Sequence, residues 1–279
     1  MASIRIAKRV HNLTGLRGLA ALIVFISHSA NFYLLPTVLG YGFGQIGVML
    51  FFLLSGFLMA HLYINEDFNC SNVKTFALAR AARVLPLYFL IVFSSIAITK
   101  YIDHDFVFHF SLDNTEILLP TVLLAHAPTI LWTIPVEIQF YMAFIGAWYL
   151  RNKNAGTYAL IAYAIITMVP SVYAYYISGL VPAFISSYSY AFFLGVATSL
   201  FHLRINQALS QKGKLAIIGI VILILFCLNL PVLKLRLGLT LSESLYFMTW
   251  GDPITWAITY SLFVGAVLNV SSLAFLNWR

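Results

Sequence analysis

Leu13-Thr14-Gly15-Leu16-Arg17-Gly18-Leu19-Ala20-Ala21-Leu22-Ile23-Val24-Phe25-Ile26-Ser27-His28-Ser29-Ala30-Asn31-Phe32-Tyr33-Leu34-Leu35 decides how the chain is read. A run of this length with one fixed charge suffices for a helix through a bilayer, which needs about 20 apolar residues. Arg17 and His28 stand eleven positions apart, close to three helical turns. At 3.6 residues per turn their side chains lie within about 20° of one another around the axis and roughly 16 Å apart along it. Ionisable groups inside a spanning helix are costly and mark a protein interior, a wet cavity or a functional site. The plainer reading is that Arg17 snorkels to the interface and His28 is a hydrogen-bonded packing residue. From this helix alone the two readings stand level.

The rest of the chain repeats the apolar pattern. Of 279 residues 61% are hydrophobic and 9% charged, against about 25% charged in a soluble domain. Apolar segments of spanning length begin near Leu13, Gly44, Val84, Leu131, Thr157, Val181, Lys214 and Ile254, eight crossings at roughly 20 residues each. The shorter stretch Ile117 to Ala127, ahead of Pro128, reads as re-entrant or interfacial. The expected fold is therefore an all-α polytopic transmembrane bundle forming one domain over residues 1–279.

A net charge of +7 raises nucleic acid as a partner, but the placement of the charge argues against it. Arg5, Lys8 and Arg9 precede the first span, Lys74, Arg80 and Arg83 the third, Arg151 and Lys153 follow the fourth, and Arg204, Lys212 and Lys214 the sixth. These fall on alternate sides of successive crossings, so the positive-inside rule puts the N-terminus in the cytoplasm. The opposite loop, Tyr101 to Glu116, carries Asp103, Asp105, Asp113 and Glu116 without Lys or Arg; Lys234 and Arg236 break the pattern. Cys70 and Cys227 are the only cysteines, one in a loop and one in a span, and no zinc-type spacing is present. The first apolar segment is too long for a secretory leader and lacks a small-residue cleavage site. The loops are too short for a separate domain, so the activity belongs in or at the bilayer.

Three further runs carry chemistry. Gly47-Val48-Met49-Leu50-Phe51-Phe52-Leu53-Leu54-Ser55-Gly56-Phe57 suits close helix approach, and packing is its local reading. Arg80-Ala81-Ala82-Arg83 sets two guanidiniums at i and i+3 on one helix face, suited equally to a phosphate-bearing ligand and to acidic lipid headgroups. In Trp132-Thr133-Ile134-Pro135-Val136-Glu137-Ile138-Gln139-Phe140-Tyr141, Glu137 is the one carboxylate in the apolar spans. It must be paired, hydrated or protonated: either it meets a membrane arginine or it orients an imidazole or hydroxyl. His126, just upstream of Trp132, is a candidate acceptor contact, whereas His11, His61, His104, His109 and His202 lie at segment ends or in loops.

In this order the runs resemble the membrane-bound acyltransferase family 3, which moves acyl groups, often acetyl, from acyl-CoA to hydroxyls of sugars and related acceptors. The resemblance rests on Leu16-Arg17-Gly18-Leu19-Ala20-Ala21 with His28, on Phe51 to Phe57, on Arg80-x-x-Arg83 with Pro86 and Tyr88, and on Trp132-Thr133 with Glu137, Phe140 and Tyr141. Phe192-Phe193-Leu194-Gly195 resembles a later family segment. It implies catalytic roles for His28, Arg17 and Glu137, donor binding by Arg80 and Arg83, and acceptor-side contacts from His126, Trp132 and Tyr141. Pro135 and Ile138 depart from the family pattern, where a second carboxylate often follows the glutamate. The family's usual ten spans and the chain's end at Leu276-Asn277-Trp278-Arg279 set an expectation of eight to ten segments, lacking the usual last helix.

The chemistry so implied has His28 as general base on an acceptor hydroxyl, or as acyl carrier, while Arg17 steadies a donor phosphate or the developing oxyanion. Acyl-CoA enters from the cytoplasm as a substrate, with no metal or resident cofactor. The acceptor is a carbohydrate, a lipid-linked glycan or another cell-envelope hydroxyl, and the setting a bacterial inner membrane. Membrane lipids are expected partners, nucleic acid is not, and self-association is open. Two rivals are a carrier of a lipid-linked sugar or small anion, against which the lack of symmetric halves argues, and an inactive truncated family member.

Overall fold

The computed structural model describes residues 11–36, 39–40, 44–101, 115–178, 185–208 and 253–267, with isolated positions 210, 212, 213, 216 and 220. The basic residues Arg5, Lys8 and Arg9, the acidic residues Asp103, Asp105 and Asp113, Cys227, Lys234, Arg236, most of the segment expected from Lys214, and Leu276 to Arg279 lie outside them. Among the described residues every regular element is helical: α1 (His11–Asn31), α2 (Gln45–Tyr63), α3 (Cys70–Tyr101), α4 (Thr115–Val122), a 3-10 turn (Thr129–Trp132), α5 (Thr133–Asn152), α6 (Thr157–Ser178), α7 (Ile185–Ala208) and α8 (Pro253–Val267). Three of them hold stretches long and apolar enough to cross a membrane: Leu13–Asn31, Gln45–Tyr63 and Cys70–Ile98. Exposed apolar stripes such as Tyr158, Ile161, Ile165 and Val169 on α6 recur at three and four residues, the face a membrane helix turns to lipid.

One expectation shifts. The third segment begins at Cys70 rather than near Val84, because α3 runs unbroken for 32 residues through the arginine pair and Pro86. The polar run Ser71 to Arg83 lowers the hydropathy without breaking the helix. Of the short stretch Ile117 to Ala127, the first six residues lie in the eight-residue α4, about 12 Å long and too short to cross, and the rest enter a turn in which Leu124 takes a φ of 58°.

The chain packs as two compact units, Met1–Leu58 with Leu194–Arg279, and Met59–Phe193. In the first, Leu13, Leu16 and Ala20 of α1, Leu50, Leu53, Leu54 and Phe57 of α2, and Phe263, Val264 and Val267 of α8 form the core. Close approach here depends on glycine: a Cβ on Gly47 would strike the Ala20 carbonyl oxygen and Val24, and one on Gly195 would strike the Leu53 carbonyl oxygen and the Phe57 nitrogen. The packing reading of the Gly47–Phe57 run therefore holds at Gly47.

In the second unit α3, α4 and α5 are tied by polar bonds as well as apolar contact. Tyr88 Oη donates to the Thr121 carbonyl at 2.8 Å, and Tyr88, Val92, Ala127 and Leu131 form a core cluster. Tyr163 Oη of α6 donates to the Ala143 carbonyl at 2.9 Å. Phe140 stacks on Phe192 at 4.0 Å and 15°, which joins the start of α7 to α5.

Candidate functional site

The sequence-derived candidates fall in both units. Arg17 and His28 belong to the first. On α1 the buried positions Leu13, Leu16, Ala20, Ser27 and Ala30 form one stripe; by helical geometry Arg17 and His28 lie along one border of it, within about 20° of each other. Each is partly buried and neither is without an interaction partner. His28 stands in the last turn, where α1 ends as Tyr33 takes a φ of 60° and Phe32 N–H returns to the His28 carbonyl at 3.1 Å.

The other candidates belong to the second unit, and here side chains distant in sequence meet. Arg80 and Arg83 share a face of α3, Arg80 partly buried and Arg83 exposed. Glu137 and Tyr141 are one turn apart on α5, and Tyr141 Oη donates to Glu137 Oε1. Tyr141 packs edge to face on Phe76 at 6.0 Å, the ring whose centroid lies 6.0 Å from the Arg80 guanidinium carbon. Phe76 thus links the Arg80 guanidinium to a phenol and the carboxylate that accepts its hydrogen bond, with Arg83 one turn along α3. Tyr141, an acceptor-side candidate in sequence, stands with the arginine pair.

His126 and Trp132 occupy the stretch entering α5. Gln139, 6% exposed, reaches back to the Leu124 and Ala125 carbonyls at 3.2 and 3.1 Å, and Ala125 and His126 N–H both reach the Pro120 carbonyl, at 2.9 and 3.3 Å. This fixes the turn and leaves His126 exposed. Trp132 packs against Tyr188 with ring centroids 4.9 Å apart.

Residues 10–278 match the family described as an acyltransferase domain. The chain belongs to acyltransferase family 3. A shorter likeness joins this acyltransferase-family chain to "Protein 2 in picA locus" of Rhizobium radiobacter, 39% identical over 79 residues. That stretch is 28% of this chain and 39% of the relative, so the chain spans well under half of the relative's length. No solved structure matches. The family match spans nearly the whole chain, and three of its helices are long and apolar enough to cross a membrane.

The sequence reading missed Tyr63, Phe76 and Trp148. The Arg80 guanidinium carbon lies 5.8 Å from the Tyr63 ring centroid and 6.0 Å from that of Phe76, and Trp148 backs both rings at 5.8 and 6.2 Å. Phe76 was findable, because it sits four residues before Arg80 and so shares its helix face. Tyr63 and Trp148 were not, since nothing distinguishes them among 16 tyrosines and five tryptophans.

Proposed function

We propose that the protein transfers an acyl group, acetyl in the simplest case, from acyl-CoA at the cytoplasmic face to a hydroxyl of a carbohydrate or other cell-envelope acceptor. The observation carrying this reading is the arginine pair on one face of α3, with Arg80 joined through Phe76 to Tyr141 and Glu137, in a chain of the acyltransferase family. Guanidiniums present planar forks of donors that match phosphate oxygens, and CoA carries a diphosphate and a 3′-phosphate at the end remote from its thioester. The length of α3 agrees with that use. Its 32 residues extend about 48 Å against a hydrocarbon core of about 30 Å, and the surplus of about a dozen residues equals the stretch from Cys70 to near Ala82. This leaves the arginine pair at the interface, within reach of a water-soluble donor.

His28 is the proposed general base: its imidazole takes the acceptor hydroxyl proton as the oxygen attacks the thioester carbonyl, and CoA leaves as the thiol. Arg17 steadies the charge that develops on the carbonyl oxygen. Glu137 holds Tyr141 beside the arginines. In this reading eight to ten segments cross a bacterial inner membrane with the N-terminus inside, and the acceptor arrives from the outer side.

The test is label transfer. Membranes with and without the protein receive radiolabelled acetyl-CoA, and the envelope carbohydrate is examined for base-labile ester. Label that depends on the protein supports the proposal. Equal label in both membranes, or acceptor transport without ester formation, refutes it.

A further inference from the structure

The Arg80 guanidinium sits in a corner made of two aromatic faces. Tyr63, the last residue of α2, and Phe76, one turn before Arg80 on α3, meet at 5.0 Å and 80°, so their rings stand as two walls almost at right angles. The guanidinium carbon lies 5.8 Å from one centroid and 6.0 Å from the other. Phe76 and Trp148 are both 0% exposed, and Trp148 Nε1 donates to the Glu66 carbonyl at 2.8 Å, which pins the turn between α2 and α3 against α5. The walls are therefore fixed from behind. Arg80 Nε is buried and has no hydrogen-bond partner among the described residues.

A ring face attracts a cation through its quadrupole, yet it accepts no strong in-plane hydrogen bond and cancels no net charge. Ring faces take none of the guanidinium's N–H donors as strong hydrogen bonds, so the donors stay available to a ligand. The rings also immobilise a side chain that otherwise loses rotamer freedom when it binds, and such preorganisation raises affinity without adding a contact to the ligand.

We infer that Tyr63 and Phe76 are positioning residues that preset Arg80 for the phosphate of a CoA-type donor, making Arg80 the rigid half of the arginine pair and exposed Arg83 the adaptable half. The inference rests on the reading of the pair as the donor-phosphate site. It adds two residues that touch no reacting atom and act through Arg80 alone.

The test uses the full chain in detergent, with CoA as the probe for direct binding and acetyl-CoA for turnover. Tyr63→Leu removes a wall at a partly buried position, a milder change than one at fully buried Phe76. It is expected to weaken CoA binding and raise donor KM by roughly 5- to 30-fold with kcat unchanged, whereas Tyr63→Phe, which keeps the ring, stays close to wild type. In an Arg80→Gln background Tyr63→Leu adds nothing, because the group it positions is gone. If Arg80→Gln weakens CoA binding but Tyr63→Leu does not, the corner has no positioning role and the donor site stands. If Tyr63→Leu weakens binding as much with Arg80 absent as with it present, Tyr63 acts by some other route and the inference fails. If Arg80→Gln leaves CoA affinity untouched, the donor site itself is wrong and the inference falls with it.

Discussion

Gly195→Ala gives the sharpest structural prediction. An added Cβ would overlap the Leu53 carbonyl oxygen and lie 2.8 Å from the Phe57 nitrogen and 3.0 Å from the Leu53 carbonyl carbon. These are backbone atoms of α2, so no side-chain tip can swing aside. Ordinary Cβ contacts begin near 3.4 Å, so even the nitrogen contact requires α7 and α2 to part by about 0.6 Å, and the carbonyl oxygen requires more. Parting packed helices loses dispersion along the whole contact, and overpacking of this kind costs about 1–3 kcal/mol. Gly18→Ala is the matched control: it is also a mid-helix glycine, but a Cβ there meets nothing within 4 Å, so it is expected to gain about 0.5–1 kcal/mol from reduced backbone freedom. Thermal unfolding in one detergent, followed by tryptophan fluorescence, should show Gly195→Ala melting several degrees below wild type and Gly18→Ala at or above it. If Gly195→Ala melts with the control, the close approach of α7 to α2 is wrong.

Four further predictions concern the candidate site and its orientation. His28→Ala should lower turnover by about 10²- to 10⁴-fold at saturating donor and acceptor while CoA binding persists; near-normal turnover in folded protein would return His28 to a packing role. Arg17→Lys keeps the charge but loses the planar fork, so acyl transfer should fall without loss of the proton acceptor, read by comparing CoA binding with transfer in one preparation. Tyr141→Phe removes the hydroxyl that donates to Glu137 Oε1 next to the ring that Arg80 faces, so donor KM should rise; an unchanged KM would mean that the phenol takes no part in shaping the donor site. Reporter fusions at Asn12 and Asn69 should read cytoplasmic and at Asp105 external, and an inside signal from Asp105 would reverse the donor and acceptor faces.

Local periodicity accounts for what the sequence revealed. The helices beginning at His11, Gln45, Thr133, Thr157 and Pro253 start within a few residues of where apolar runs begin, because a membrane helix must satisfy its own backbone and so announces itself by composition. The same rule misplaced the start of α3, since a helix that continues into water keeps its hydrogen bonds while its residues turn polar. Contacts at i+3 and i+4 were equally legible: Arg80 with Arg83 on one face, Glu137 with Tyr141 one turn apart. What the sequence hid is long-range. Trp148 and Glu66 are 82 residues apart, Tyr63 reaches Arg80 only because the chain folds back between α2 and α3, and Gln139 grips a turn 14 and 15 residues earlier. No spacing encodes such meetings; they follow from which helix faces have lipid and which have protein beside them.

Acyl transfer from a CoA donor by His28, with the donor held by Arg80 and Arg83, is tested by one side-by-side measurement. Membranes bearing wild type, His28→Ala and the double variant Arg80→Gln/Arg83→Gln, matched for amount of protein, receive a concentration series of radiolabelled acetyl-CoA, and protein-dependent ester in the envelope fraction is counted. The account predicts label with wild type, almost none with His28→Ala at any donor concentration, and label with the double variant that is recovered as donor is raised. Equal label from His28→Ala and wild type, or a double variant whose loss no donor concentration repairs while the protein stays folded in the membrane, would contradict it.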